Sequence, residues 1–197
     1  MRKSLSRNIY IACPKYIQDY ETNNSDNILM KQLIELSTKT IILKRNEYLK
    51  YSGSTDTNLY YLENGSMRIF IVSEGEEQII RLAYNGNLIT SLDSFLTDKP
   101  SELFIQAIKN STVRVITKQQ IEQFLKEDEN QKLWIKILEN LIVQQLEREI
   151  DILTKSPAER YQRVLSRSPH LFQYIPNRYI ANYLRMSPET LSRLKKS

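Results

Sequence analysis

Residues 176–194 read PNRYIANYLRMSPETLSRL, two short helical periods broken once. Ile180, Leu184, Met186, Leu191 and Leu194 supply the apolar positions, at spacings that put them on one side of each helix. Ala181 stands beside Ile180, where two closely crossing helices need a small side chain. Ser187 followed by Pro188 marks a helix start, because serine caps free N–H groups and proline at the first helical position loses nothing by lacking one. The spacing predicts helices at about 176–184 and 188–196, joined by a three-residue turn: the helix-turn-helix pattern of a supporting and a recognition helix. The turn holds no glycine, so Arg185 or a neighbour must adopt the left-handed conformation, at about 1 kcal/mol. Ser187, Glu189, Thr190, Ser192, Arg193, Lys195 and Lys196, with Arg178 on the first helix, are partners for base edges and phosphates rather than for a core.

Working back along the chain, Ser156-Pro157-Ala158-Glu159 is another helix start, with Glu159 placed to return the capping bond. Residues 155–197 carry nine Lys/Arg and two Asp/Glu. The whole chain has a net charge of only +5, so this basic unit holds the excess, and a polyanion is its natural partner. Residues 118–154 contain neither Gly nor Pro and read as a short helix followed by a long one. The long helix, about 24 residues and about 36 Å, is apolar on more than one face. Trp134, Ile137, Leu138, Leu141, Ile142, Leu146 and Ile150 are therefore expected to form the seam of a homodimer, the alternative being simple packing on the preceding domain.

Before that, the period shortens. Eight β-rich runs are expected at 40–43, 48–51, 59–62, 67–72, 78–83, 87–90, 103–108 and 113–117. All four glycines lie in the breaks between runs, as tight hairpins require. Eight short strands at near-regular spacing predict an antiparallel sandwich, barrel or jelly roll. The expected class is α+β, in three parts. A β-roll with flanking helices fills 1–117, a hinge and dimerisation helix 118–154, and an all-α helix-turn-helix unit 155–197.

Composition excludes much else. With 41% hydrophobic and 26% charged residues the chain can bury a core. One cysteine, Cys13, and one histidine, His170, leave no intrachain disulfide, no zinc or iron–sulfur site, and no cluster of ligands for a metal-dependent barrel enzyme. Cys13 reads as an inert small hydrophobe and His170 as a surface or capping residue. Most of the 12 tyrosines are expected in half-buried packing positions. No run approaches the roughly 20 apolar residues of a membrane span, and the apolar run at 9–12 is too short for an export signal. A cytoplasmic protein that is no enzyme, without metal or cofactor, is expected.

The order of parts resembles the Crp/Fnr superfamily of bacterial transcription regulators, in its short Bacteroidetes-type form. The resemblance covers about 28–197 and rests on NLYYLENG at 58–65, Gly86-Asn87-Leu88, Glu159-Arg160-Tyr161 and residues 176–194. It implies a cyclic nucleotide-binding-like sensor, a homodimer on two-fold symmetric double-stranded DNA, and contact with RNA polymerase. Two departures stand out. Cyclic-AMP binders of the family carry Gly-Glu-Leu and, after a short helix, Arg-Ser/Thr-Ala, the Glu for a ribose hydroxyl and the Arg for the phosphate. Here the first element is Gly86-Asn87-Leu88, the second falls near Pro100-Ser101-Glu102, and no arginine lies between Arg81 and Arg114. Cyclic AMP is therefore not expected as effector. The pocket at Gly86, Asn87, Leu88, Ser91 and Ser101 is expected to be empty or to take an uncharged or cationic ligand. The family's Arg-Glu-Thr at the start of the recognition helix also reads Pro188-Glu189-Thr190. A β-roll whose small-molecule sensing outweighs its DNA contact is the other reading.

Overall fold

The eight β-rich runs fold as eight strands in two four-stranded antiparallel sheets, ordered β1-β8-β3-β6 and β2-β7-β4-β5. The computed structural model describes residues 24–196, with side chains from residue 27; Cys13 and the rest of the N-terminal stretch lie outside them. The strands are β1 Lys39–Leu43, β2 Tyr48–Lys50, β3 Leu59–Asn64, β4 Ser66–Ser73, β5 Glu76–Tyr84, β6 Leu88–Ile89, β7 Phe104–Ala107 and β8 Ser111–Ile116. The helices are α1 Asn24–Glu35, α2 Leu92–Thr97, α3 Lys118–Phe124, α4 Asp128–Leu153, α5 Pro157–Arg167, α6 Leu171–Tyr174, α7 Asn177–Tyr183 and α8 Pro188–Leu194.

The facing sides of the sheets enclose a core of Leu62, Met67, Ile69, Ile105 and Val113, each 5% exposed or less. Gly65 shows why a glycine turn is needed between β3 and β4. Its φ is +104°, and a Cβ there would lie 2.2 Å from Ser111 Oγ and 2.6 Å from the Asn110 carbonyl oxygen, so only glycine lets the chain pass. α1, α3 and the start of α4 close one side of the roll through Leu33, Ile116, Ile121, Leu133 and Ile137.

The C-terminal helices share a core with the roll. Phe70, Ile79, Leu82 and Tyr84 from β4 and β5 pack with Tyr161, Val164, Leu171, Tyr179 and Ile180. This explains why Ser66, Met67, Arg68, Ile69 and Phe70 of β4 are all buried in succession. A strand covered on both faces does not alternate.

Several expectations needed correction. Helix α2 was not read as an element from its own residues. At six residues it is too short for a periodic signal, and it ends on Asp98 with φ +56°. The run expected at 87–90 shortens to Leu88–Ile89, because Asn87 is used in the turn, where its Oδ1 accepts from Tyr84 N at 3.0 Å. At the start of α5, Ser156 Oγ accepts from Glu159 N as expected, but the reciprocal bond from the Glu159 side chain is not among those made there.

Candidate nucleic-acid interface and sensor cleft

Local rules build the helix-turn-helix. Ser187 caps α8, its Oγ accepting from Thr190 N at 3.2 Å, and Pro188 opens the helix. Arg185 takes the left-handed turn position at φ +54°. Ile180, Ala181, Leu184 and Leu191 are completely buried between the two helices. The turn is fastened by Arg160, which sequence reasoning quoted only as a motif match. Its guanidinium donates to the carbonyls of Leu184 (2.9 Å) and Arg185 (3.1 Å) in the turn, and to Thr154 and Lys155 (3.1 Å) at the end of α4. One planar five-donor group thus ties the long helix to the helix-turn-helix.

Glu189, Ser192, Arg193 and Lys196 are all exposed, and their spacing places them on one face of α8 and the turn that follows it. The Glu189 carboxyl is held below its ordinary range by its own backbone N–H and by the Ser187 hydroxyl. It is therefore an ionised acceptor. Three expected contacts prove partly engaged. Ser187 is used as the cap, Thr190 is half-buried with its hydroxyl 3.2 Å from that of Ser187, and Lys195 donates to Asn177 Oδ1 at 2.9 Å. Arg178 lies exposed on α7, its guanidinium 4.4 Å from the centre of the Tyr179 ring. His170 stands exposed at the start of α6.

The expected ligand residues fall into separate groups rather than one pocket. Gly86 forms the turn after β5, its N–H donating to the Leu62 carbonyl. Ser91 and Ser101 are buried and serve Asp93. Burial works to raise the Asp93 pKa, but hydrogen bonds from the Ser101 hydroxyl, the Ser94 N–H and the Ser91 hydroxyl (3.0 Å) outweigh it and hold the carboxyl below its ordinary range. The nearby Lys50 is also committed. Its ammonium donates to the carbonyls of Tyr51, Ser101 and Leu103 at 3.0–3.1 Å.

Asn87 and Leu88 do line a cleft, together with the roll, α4 and the C-terminal helices. Its walls are mostly apolar, with Phe95, Trp134, Leu138 and Leu141 among them, and Arg81 is at its polar side. Arg81 donates to Gln144 at 3.3 Å and Gln145 at 3.2 Å.

The expected dimer residues divide. Ile137 is 3% exposed inside the chain's own core, and Trp134 packs on Phe95 with ring centres 5.9 Å apart. Leu138 and Leu141 are half-buried. Ile142, Leu146 and Ile150 are exposed, in line with Ile135 and Leu153, which sequence reasoning had not placed at the seam.

Comparison with known proteins agrees with this arrangement. Residues 40–128 match the family described as cyclic nucleotide-binding domain. Among solved structures, FixK2 from Bradyrhizobium japonicum superposes with a TM-score of 0.66 at 20% identity, over 80% of this chain and 82% of that one. A CooA variant from Carboxydothermus hydrogenoformans gives 0.63 at 17% identity, over 84% and 77%. The catabolite activator protein of Thermus thermophilus gives 0.55 at 18% identity, over 90% and 84%. No curated protein matches the sequence. The fold shared with these structures is a β-roll joined through a long helix to a helix-turn-helix. Among the described residues no helix is long and apolar enough to cross a membrane.

Proposed function

We propose that the chain is a DNA-binding transcription regulator of the Crp/Fnr type, acting as a homodimer on a palindromic duplex and without cyclic AMP. The exposed face Glu189-Ser192-Arg193-Lys196 on a capped helix of a basic unit carries this reading. In it, α8 enters the major groove. Glu189 accepts from a cytosine amino group, and Arg193 reaches a guanine edge or a phosphate. Lys196 and Arg178 neutralise phosphates, and two such helices stand about 34 Å apart on the dimer. Binding-site selection tests it. Glu189→Ala should relax the selected consensus, with discrimination falling by about 1–3 kcal/mol. Lys196→Ala should weaken all duplexes alike and lower the salt slope by about one. An unchanged consensus with both Glu189→Ala and Arg193→Ala would show that α8 does not read bases.

The residues present do not fit a cyclic nucleotide. The hydroxyl and N–H donors at the start of α2 already serve the Asp93 carboxylate, a fixed negative charge where a phosphate would have to sit. The neighbouring ammonium, Lys50, is spent on three carbonyls, and Asn87 is committed to the β5–β6 turn. Calorimetric titration with cyclic AMP is expected to show no binding at micromolar concentration, and a dissociation constant in the low micromolar range would contradict the reading.

The cleft favours a second reading, in which small-molecule sensing is the main activity. Its apolar walls and Arg81 suit a ligand with a hydrophobic body and an acceptor or acidic end. A thermal-shift screen of hydrophobic carboxylic acids separates the two readings when run beside a duplex-binding assay.

A further inference from the structure

The supporting helix of the helix-turn-helix is fastened to the sensor roll by a side-chain clasp. β5 is the outer strand of its sheet, so its outward N–H and C=O groups have no strand to pair with. Asn182 on α7 supplies the pairing. Its Oδ1 accepts from Ile79 N at 2.9 Å, and its Nδ2 donates to the Glu77 carbonyl at 2.9 Å. One amide thereby does for this edge what a neighbouring strand would do. Aromatic and cationic groups extend the seam on both sides. Tyr84 stacks on Tyr174 with ring centres 5.0 Å apart. The Arg68 guanidinium pairs with both carboxylate oxygens of Glu77 and lies 5.2 Å from the centre of the Tyr179 ring. Arg148 of α4 lies 3.8 Å from the centre of the Tyr183 ring and donates to the Ile79 carbonyl at 3.3 Å.

Two features mark this seam as releasable and as unfavourable to DNA. First, Arg148 is buried with Nε and Nη1 lacking hydrogen-bond partners among the described residues, so the closed seam holds a desolvated and half-satisfied cation. Opening it lets water complete those bonds. Second, the β4–β5 hairpin carries Glu74, Glu76 and Glu77, all exposed. The contacts Glu77–Arg68–Tyr179–Arg178 run from that hairpin directly to the start of α7. The first helix of a helix-turn-helix crosses the DNA backbone, and the closed seam fastens that helix beside a hairpin bearing three glutamates, of which Glu77 is paired with Arg68, so the hairpin adds negative potential on the side where a duplex would dock.

We propose that the Asn182 clasp is an autoinhibitory contact. It holds the helix-turn-helix against the acidic β4–β5 hairpin, and its release strengthens binding to duplex DNA. This rests on the DNA-binding reading above and adds its regulation.

The test uses the full chain with Asn182→Asp and Asn182→Ala. Asn182→Asp keeps the size but loses the donor and sets a carboxylate against the Glu77 carbonyl. A third variant, Glu74→Gln with Glu76→Gln, leaves the clasp intact. Hydrogen exchange reports the seam independently of DNA, and duplex binding at fixed salt reports its effect. Both Asn182 variants should exchange faster in 76–84 and 177–183, and should bind duplex at least about fivefold more tightly, the lower end of ordinary coupling between sites. The hairpin variant should bind more tightly without faster exchange. Faster exchange with unchanged or weaker DNA binding would overturn the proposal, and so would unchanged exchange in both Asn182 variants. If the Asn182 variants do not fold, the hairpin variant decides alone, and its failure to tighten binding overturns the proposal. Absence of duplex binding by wild type and all variants at low salt removes the DNA-binding reading and this proposal together, an outcome distinct from binding that the clasp does not affect.

Discussion

Replacing Ile142 and Leu146 by aspartate is expected to convert a dimer into a folded monomer. In the isolated chain these side chains are 61% and 54% exposed, and they continue a stripe with Ile135, Ile150 and Leu153, at 54%, 46% and 72%. The stripe follows the 3.6-residue period along most of α4, on the side away from the core that holds Leu133 and Ile137. An apolar stripe of this length is not normally left in water, and a second copy of the same stripe is the partner of matching shape. Burying one Leu or Ile contributes about 1.5–3 kcal/mol. A two-fold interface uses each side chain twice, so the double substitution weakens the dimer by about four orders of magnitude or more. The monomer itself should stay folded, because both side chains stand outside the core of the protomer. Sedimentation at micromolar concentration reads the outcome, and a monomeric wild type or a dimeric double variant would refute the seam.

Asp151→Ala is expected to cost about 3–5 kcal/mol of stability. Asp151 is completely buried on α4, where its carboxylate accepts from Arg163 Nε at 3.0 Å and from Arg167 of α5. Glu147, one turn earlier, accepts from Arg163 at 2.8 Å and Arg167 at 3.0 Å. Two carboxylates one turn apart on α4 thus interleave with two guanidinium groups one turn apart on α5. Removing Asp151 leaves the Arg167 guanidinium buried with half of its compensation gone. Glu147 is a quarter exposed, so water replaces it more easily, and Glu147→Ala should cost distinctly less. Urea denaturation at neutral pH measures both. A loss below about 1 kcal/mol for Asp151→Ala would show that the pairs roughly balance their own desolvation.

What was legible in the sequence was what local chemistry decides. The strands were marked by runs of β-branched and aromatic residues between glycine turns, and their ends moved by only a residue or two. The helix-turn-helix was legible because a serine cap, a proline and a small residue at the crossing all act within one or two helical turns. Even the left-handed turn could be placed on Arg185 or next to it, since two helices meeting there must reverse direction. Side chains whose partners come from elsewhere in the fold were not legible. Asn182 and Ile79 are 103 residues apart, and no pattern around either announces the other. Ser91 and Ser101 looked like open ligand donors because nothing in their spacing shows that Asp93 would take their hydroxyls. The long helix is apolar on more than one face in its sequence, but periodicity alone does not say which face meets the roll. Ile137 therefore went inward while Ile135, unremarked, faces out.

The clasp on β5 also bears on how the molecule avoids sticking to others. β5 is nine residues long and forms the rim of its sheet, and an uncovered rim strand is a template for any other extended chain. Here the middle of that rim is occupied by Asn182 and Arg148, and the apolar face behind it is covered by Val164, Leu171 and Ile180. The helix-turn-helix is thus a lid over an aggregation-prone border, whatever else it does. A chain cut after the long helix would keep all its strands but lose that protection, and its solubility would fall with it.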